Sequence, residues 1–211
     1  MASTQTDVIK LKNSRLSFPE LKTPKAFEEG KPKSFQASVL LDPSSAEGKA
    51  QIKMVQKEIK SLLVRHYGSE DKIPKGFKTP LKDNAKEEKA YSGYEGMWFL
   101  GARRKENDGR PGLAGRDPRV PLNPEDIDAL FYPGAVVNLS FHMWVYDGIA
   151  AGRAQHGRTV VAELRAVQFV KHGERLGGIA PVDTEEEFDV LDSLDEGGDT
   201  DDLDDDFLDT N

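Results

Sequence analysis

The groups that could do chemistry in this chain are few and poorly spaced for catalysis. Its four histidines, His66, His142, His156 and His172, match no metal-ligand spacing such as HExxH, and His142 falls mid-strand. They read as surface or packing residues. No GxxxxGK[ST] phosphate loop, no GxGxxG after a strand and no GxSxG elbow is present. There are no cysteines. Disulfides, thiolate metal sites and cysteine nucleophiles are therefore excluded, which fits a reducing compartment. The body carboxylates Asp83, Asp108, Asp117 and Asp147 could serve a metal-dependent nuclease, but no pair has diagnostic spacing. Another 15 carboxylates crowd a C-terminal segment expected to be too mobile for catalysis, which needs placement within about half an ångström. The chain is not expected to be an enzyme, and it implies no cofactor and no metal.

Rings and cations are better placed. A surface for single strands needs cations for phosphates and aromatic faces on which bases stack. The run YSGYEGMWFLGARRK sets Tyr91, Tyr94, Trp98 and Phe99 just before Arg103, Arg104 and Lys105. The next segment adds Arg110, Arg116 and Arg119, and the stretch after Tyr146 carries Arg153 and Arg158. Trp144 and Tyr146 alternate in phase with polar Asn138, Ser140 and His142, on the expected solvent side of a strand. A large ring there has no packing reason to be present. Each ring taken alone could equally be a core residue; the cluster is more telling than any member. Lys49, Lys53, Lys57 and Lys60 read instead as the solvated face of a helix.

These groups must be positioned mostly by strands. Apolar positions Ile9, Leu11, Leu16 and Phe18 break parity, which predicts a bulge near Asn13 and Ser14. Alternation predicts further strands over 35–41, 97–104, 135–146 and 159–170. Five such strands suggest a small barrel or sandwich. One long helix interrupts them. Ser44 and Glu47 have capping-box spacing, Ile52, Val55, Ile59, Leu62 and Leu63 share a face, and Gly68 is a plausible stop. A shorter helix is predicted from Asn123 as N-cap, with Pro124 in its first turn and Ile127, Leu130 and Phe131 inward. Residues 105–122, rich in Gly and Pro, read as an irregular loop.

Charge divides the chain. Residues 183–211 contain 15 Asp and Glu and no Lys or Arg; the rest keeps all 29 Lys and Arg against 22 Asp and Glu, a net +7. We expect a basic nucleic-acid-binding domain over 1–182 and a disordered acidic tail over 183–211. Apolar residues set among its carboxylates, Phe207 and Leu208 near its end, could anchor a partner protein. No apolar run is long enough for a membrane span, and no signal peptide is visible.

The runs LKNSRLSFPELKTPKAFEEGKPKSFQASVLLDP, YSGYEGMWFLGARRKENDGRP, PGAVVNLSFHMWVYD and LRAVQFVKHGERLGG, followed by EEEFDVLD, resemble a family of phage-encoded single-stranded DNA-binding proteins. Several blocks occur in order, over about residues 8–191. The resemblance implies a mainly β fold with one long helix: a five-stranded OB-fold-like barrel carrying an acidic tail. It implies a protein that coats single-stranded DNA without sequence preference in phage replication or recombination, in the cytoplasm of the host cell. Duplex DNA or RNA would bind more weakly, and replication or recombination proteins would dock on the tail. Onto this chain it carries Tyr91, Tyr94, Trp98, Arg103 and Arg104, then Trp144, Tyr146 and Arg153. One departure stands out. An OB barrel has its helix between the third and fourth strands, whereas the pattern here places it after the second. Either the first segment supplies two strands or the topology is modified. A competing reading is an acidic-tailed chaperone or adaptor, whose barrel merely displays a tail that binds basic proteins.

Overall fold

The computed structural model describes residues 5–26, 30–87 and 93–177, all within the compact unit Met1–Gly178. Eight strands and two helices make it up: β1 (Ile9–Lys25), β2 (Ser34–Leu41), α1 (Ala46–Tyr67), β3 (Phe77–Lys78), β4 (Leu81–Asp83), β5 (Trp98–Lys105), β6 (Gly112–Ala114), α2 (Ile127–Leu130), β7 (Val136–Asp147) and β8 (Arg158–Lys171). The expected tail, with Phe207 and Leu208, lies outside the described residues, as does Tyr91.

Five long strands close a barrel. β1 pairs with β7 through Ile9–Arg15 and with β2 through Arg15–Lys25. β2 pairs with β5, β7 with β8, and β5 meets β8 in parallel at one rung, Arg103 opposite Glu163. The interior is filled by alternate residues, among them Leu11, Leu16, Val39, Leu100, Phe141, Met143 and Leu164, all shielded from solvent. The predicted bulge is present: Asn13 has φ +49 and the β1–β7 register shifts between Leu11 and Ser14. It lets one continuous strand serve two neighbours. The first segment therefore does not supply two strands. The topology is instead modified, with α1 between the second and third long strands and β6 and α2 between the third and fourth.

α1 buries Ile52, Val55, Ile59, Leu62 and Leu63 against the barrel, as its spacing predicts. It is stitched to the bulge. Gln51 exchanges hydrogen bonds with the Lys12 backbone, and the Asn13 side chain donates to Glu47 at 3.2 Å. The cap differs from expectation. Ser45, not Ser44, accepts from the Gly48 N–H at 3.0 Å, because Ser44 is drawn to the Asp42 carboxylate at 2.6 Å. Gly68 ends the helix with φ +88, where a side chain would be strained. The second predicted helix begins as a 3-10 turn at Pro124–Asp126 with no side-chain cap from Asn123, and buries Ile127 and Phe131. Residues 105–122 are not wholly irregular: β6 pairs with β8, Gly112 opposite Ala166. Three residues with no alternation left no pattern to find.

Candidate nucleic-acid interface

Beyond the Arg103–Glu163 rung, β5 and β8 part. Residues 77–83 span the gap, β3 pairing with β8 and β4 with β5. Between them lies a groove of about 520 Å³ on the outer face of the barrel. Its lining includes Gln36 and Ser38 of β2, Phe99, Gly101 and Arg103 of β5, Thr159 and Val161 of β8, and Lys78 and Lys82. No residue lining it is acidic. The floor stays low at Gly101, where an added Cβ would press on Ser38 Oγ at 3.3 Å.

Three rings are layered here. Phe18, one of the apolar positions of its strand, lines the groove and is 47% exposed. Its φ of +43 and the register shift between Ser17 and Glu20 turn it outward. The signal was Pro19, which has no N–H for the ladder and disturbs a strand at that point. Tyr94 is buried beneath, 6.0 Å from the Phe18 ring and 6.4 Å from Phe99, its hydroxyl bonded to Ser17. It buttresses the two groove rings and offers no face of its own to a base. Trp98 has the parity of Leu100 and Ala102, packs against the core and lies 5.9 Å from Lys86 Nζ. Its neighbour Phe99 takes the outward position.

Trp144 and Tyr146 lie on the outer face of β7, half-buried, edge to face at 6.3 Å and 87°. Their partners on β8 are Val161 and Thr159, which line the groove, so the two rings extend its wall by one strand. His142, two residues before Trp144, is not solvent-exposed as expected: it is 8% exposed and 3.3 Å from Glu163.

The expected cations divide. Arg103 lines the groove, and Lys105 is exposed at the end of the same strand. Arg153 is exposed in the turn after Tyr146. Arg104 is occupied by the Asp108 and Gly109 carbonyls, at 2.6 and 2.9 Å, and by Glu163 at 3.5 Å. Arg110 is exposed and donates to the Lys22 carbonyl at 2.9 Å, away from this groove. Arg158 is held by Asp147 at 3.2 Å. Asp147 is a structural hub: it also accepts from the Ile149 and Ala150 N–H groups and from the Tyr67 hydroxyl. The Ala150 N–H first, then Tyr67 and Arg158, hold its carboxyl down to about 2, and burial first, then Asp147, pushes Tyr67 up to about 12. Asp83 and Asp117 are likewise paired, with Lys86 and Arg119. Lys78 and Lys82 were missed by sequence reasoning; only pairing with two distant strands brings them here.

A closed five-stranded barrel with an outward, ringed and cationic groove is an OB-like architecture. A family model described as Enterobacter phage Enc34, ssDNA-binding protein, matches residues 6–208, and the chain belongs to this family. Protein p50 of Acyrthosiphon pisum secondary endosymbiont phage 1 is 31% identical over 198 residues, covering 89% of this chain and 96% of that one. The single-stranded DNA-binding protein from bacteriophage Enc34, solved in complex with ssDNA, has the same fold: TM-score 0.66, 23% identity, 81% of this chain and 89% of that chain. Another structure of the single-stranded DNA-binding protein from bacteriophage Enc34 has TM-score 0.64 at 22% identity, over 86% of this chain and 90% of that chain.

Proposed function

We propose that this chain binds single-stranded DNA without sequence preference, as a non-catalytic coating protein of phage replication or recombination in the host cytoplasm. The observation that carries this is the outer groove. Phe18, Phe99 and Arg103 line a groove with no acidic lining residue, and Trp144 and Tyr146 continue it. Ring stacking is worth roughly 1–3 kcal/mol per base and suits any sequence, while cations take the phosphates. Family membership supports the same reading.

The acidic tail supplies the regulation in this proposal. A flexible segment of 29 residues spans roughly 30 Å, against a radius of gyration of about 16 Å for a body of this size. Tethered, it acts at roughly millimolar effective concentration. It contends with DNA for the cationic surface, and displacement frees Phe207 and Leu208 for partner proteins. Support comes from the +7 and −15 division of charge. The test is a salt titration of binding to poly-dT, duplex and RNA oligomers by the full chain and by a chain ending at residue 182. Tighter single-strand binding by the shorter chain is expected. No binding by the shorter chain would favour the adaptor reading.

A further inference from the structure

We propose that a second groove, on the outer face of β1, β7 and β8, is a docking site for the phosphate backbone of a polynucleotide. It rests on the reading above and adds a site to it. One row crosses four strands: Lys10 stands opposite Ser140, Ser140 opposite Ala166, and Ala166 opposite Gly112. Small side chains thus form the floor of two adjoining hollows of about 640 and 550 Å³. Four exposed cations rim them: Lys10 and Lys12 from β1, Arg165 from β8, and Arg110 just before β6.

No carboxylate lines either hollow, and no aromatic ring does. Among the described residues, Lys10, Lys12 and Arg165 have no ion-pair partner. Cations gathered without counter-charge repel one another, and a bound polyanion relieves that repulsion. Without a ring there is nothing for a base to stack on. The groove is therefore suited to phosphates and indifferent to bases, unlike the ringed groove.

The two sites share one ladder. Trp144, beside the ringed groove, is four positions along β7 from Ser140 on the second floor, about 13 Å at roughly 3.3 Å per residue. A strand leaving the rings at Trp144 crosses the row of His142 and Glu163, whose carboxylate is engaged by His142 and Arg104, before it meets Lys10 and Arg165. A separate duplex could meet the same cations, since the phosphodiester chemistry is shared.

The test compares the full chain with its Lys10→Gln/Arg165→Gln variant, on dT oligomers of about 6 and 20 nucleotides and on a duplex. Both side chains are exposed, and an unchanged melting temperature verifies the fold; Lys12→Gln/Arg110→Gln is the second variant. Single strands lose about 0.7 in the slope of log K against log salt per phosphate contact removed. The expected result is unchanged binding of the short oligomer and a slope lower by about 1.4 on the long one. A reduction confined to the duplex also supports the site and assigns it to a separate polynucleotide. Unchanged slopes on both ligands overturn the proposal. Tighter DNA binding by the variant overturns it too, because an acidic peptide is then the occupant. Failure of the parent to bind the short oligomer defeats the ringed-groove reading, independently of any change in slope.

Discussion

Arg103 and Glu163 face each other at the one rung that joins β5 to β8 in the described structure. Glu163 also holds His142 at 3.3 Å and Arg104 at 3.5 Å, so a carboxylate stands at the edge of a cationic surface. Its charge opposes phosphates nearby. Glu163→Gln keeps the shape and removes the charge. We expect tighter binding of poly-dT at low salt, with the gain shrinking as salt rises past about 0.1 M, where screening acts over about 10 Å. Fluorescence anisotropy across a salt series checks this. A lower melting temperature with unchanged affinity would mean that Glu163 only ties strands together.

The two tryptophans should report differently. Trp144 lies on the outer face, and Trp98 packs inward. Single-stranded oligomers are expected to quench emission from Trp98→Phe, which retains Trp144, and to leave Trp144→Phe nearly unquenched. The reverse pattern would place the bases at the barrel end beside Trp98.

Phe99 and Tyr94 separate binding from support. Phe99→Ala removes a groove ring and is expected to cost roughly 1–3 kcal/mol of binding, about 5- to 150-fold in affinity. Tyr94→Phe removes only the hydroxyl bonded to Ser17. It should lower stability by about 1 kcal/mol and leave affinity unchanged. Denaturant melts and oligomer titrations on both variants check the division.

Asp147 gives the fold a pH dependence of known sign. Its carboxyl is lowered from 3.8 to about 2. The unfolded chain therefore takes up the proton first as pH falls. The stabilisation is complete above about pH 4 and is lost as pH falls through about 2. Asp147→Asn should be less stable than the parent at pH 7, and the difference should narrow between about pH 4 and 2. Thermal melts across that range decide it; parallel curves would exclude Asp147 as the source.

The five long strands, the bulge at Asn13 and the apolar face of α1 were legible because each writes its own periodicity into local sequence. The candidate site was legible as a region and less so residue by residue. Parity alone could tell Trp98 from Phe99, but Trp98 opens its strand and the phase is set by pairing with Leu41 and Leu40. Phe18 is only one more apolar position of its strand until Pro19 and the register shift are taken into account. Tyr94 reads as a stacking ring because nothing local shows that Ser17, far away in the chain, receives its hydroxyl. Arg104 and Arg158 look available until the Asp108 carbonyl and Asp147 are seen to occupy them. Charge counts register a cation and are blind to its partner.

The strip of residues 77–83 is attached to β8 by two residues and to β5 by three. Its β5 side is anchored by Leu81 in the core and by the Gly101 N–H on the Pro80 carbonyl, so the two-residue seam toward β8 is the side that yields at least cost. Under the proposed function, the width between Lys78 and Phe99 would adjust to a purine or a pyrimidine through that seam. On the proposed single-strand reading, tolerance of any nucleobase would then be a property of the seam as much as of the rings.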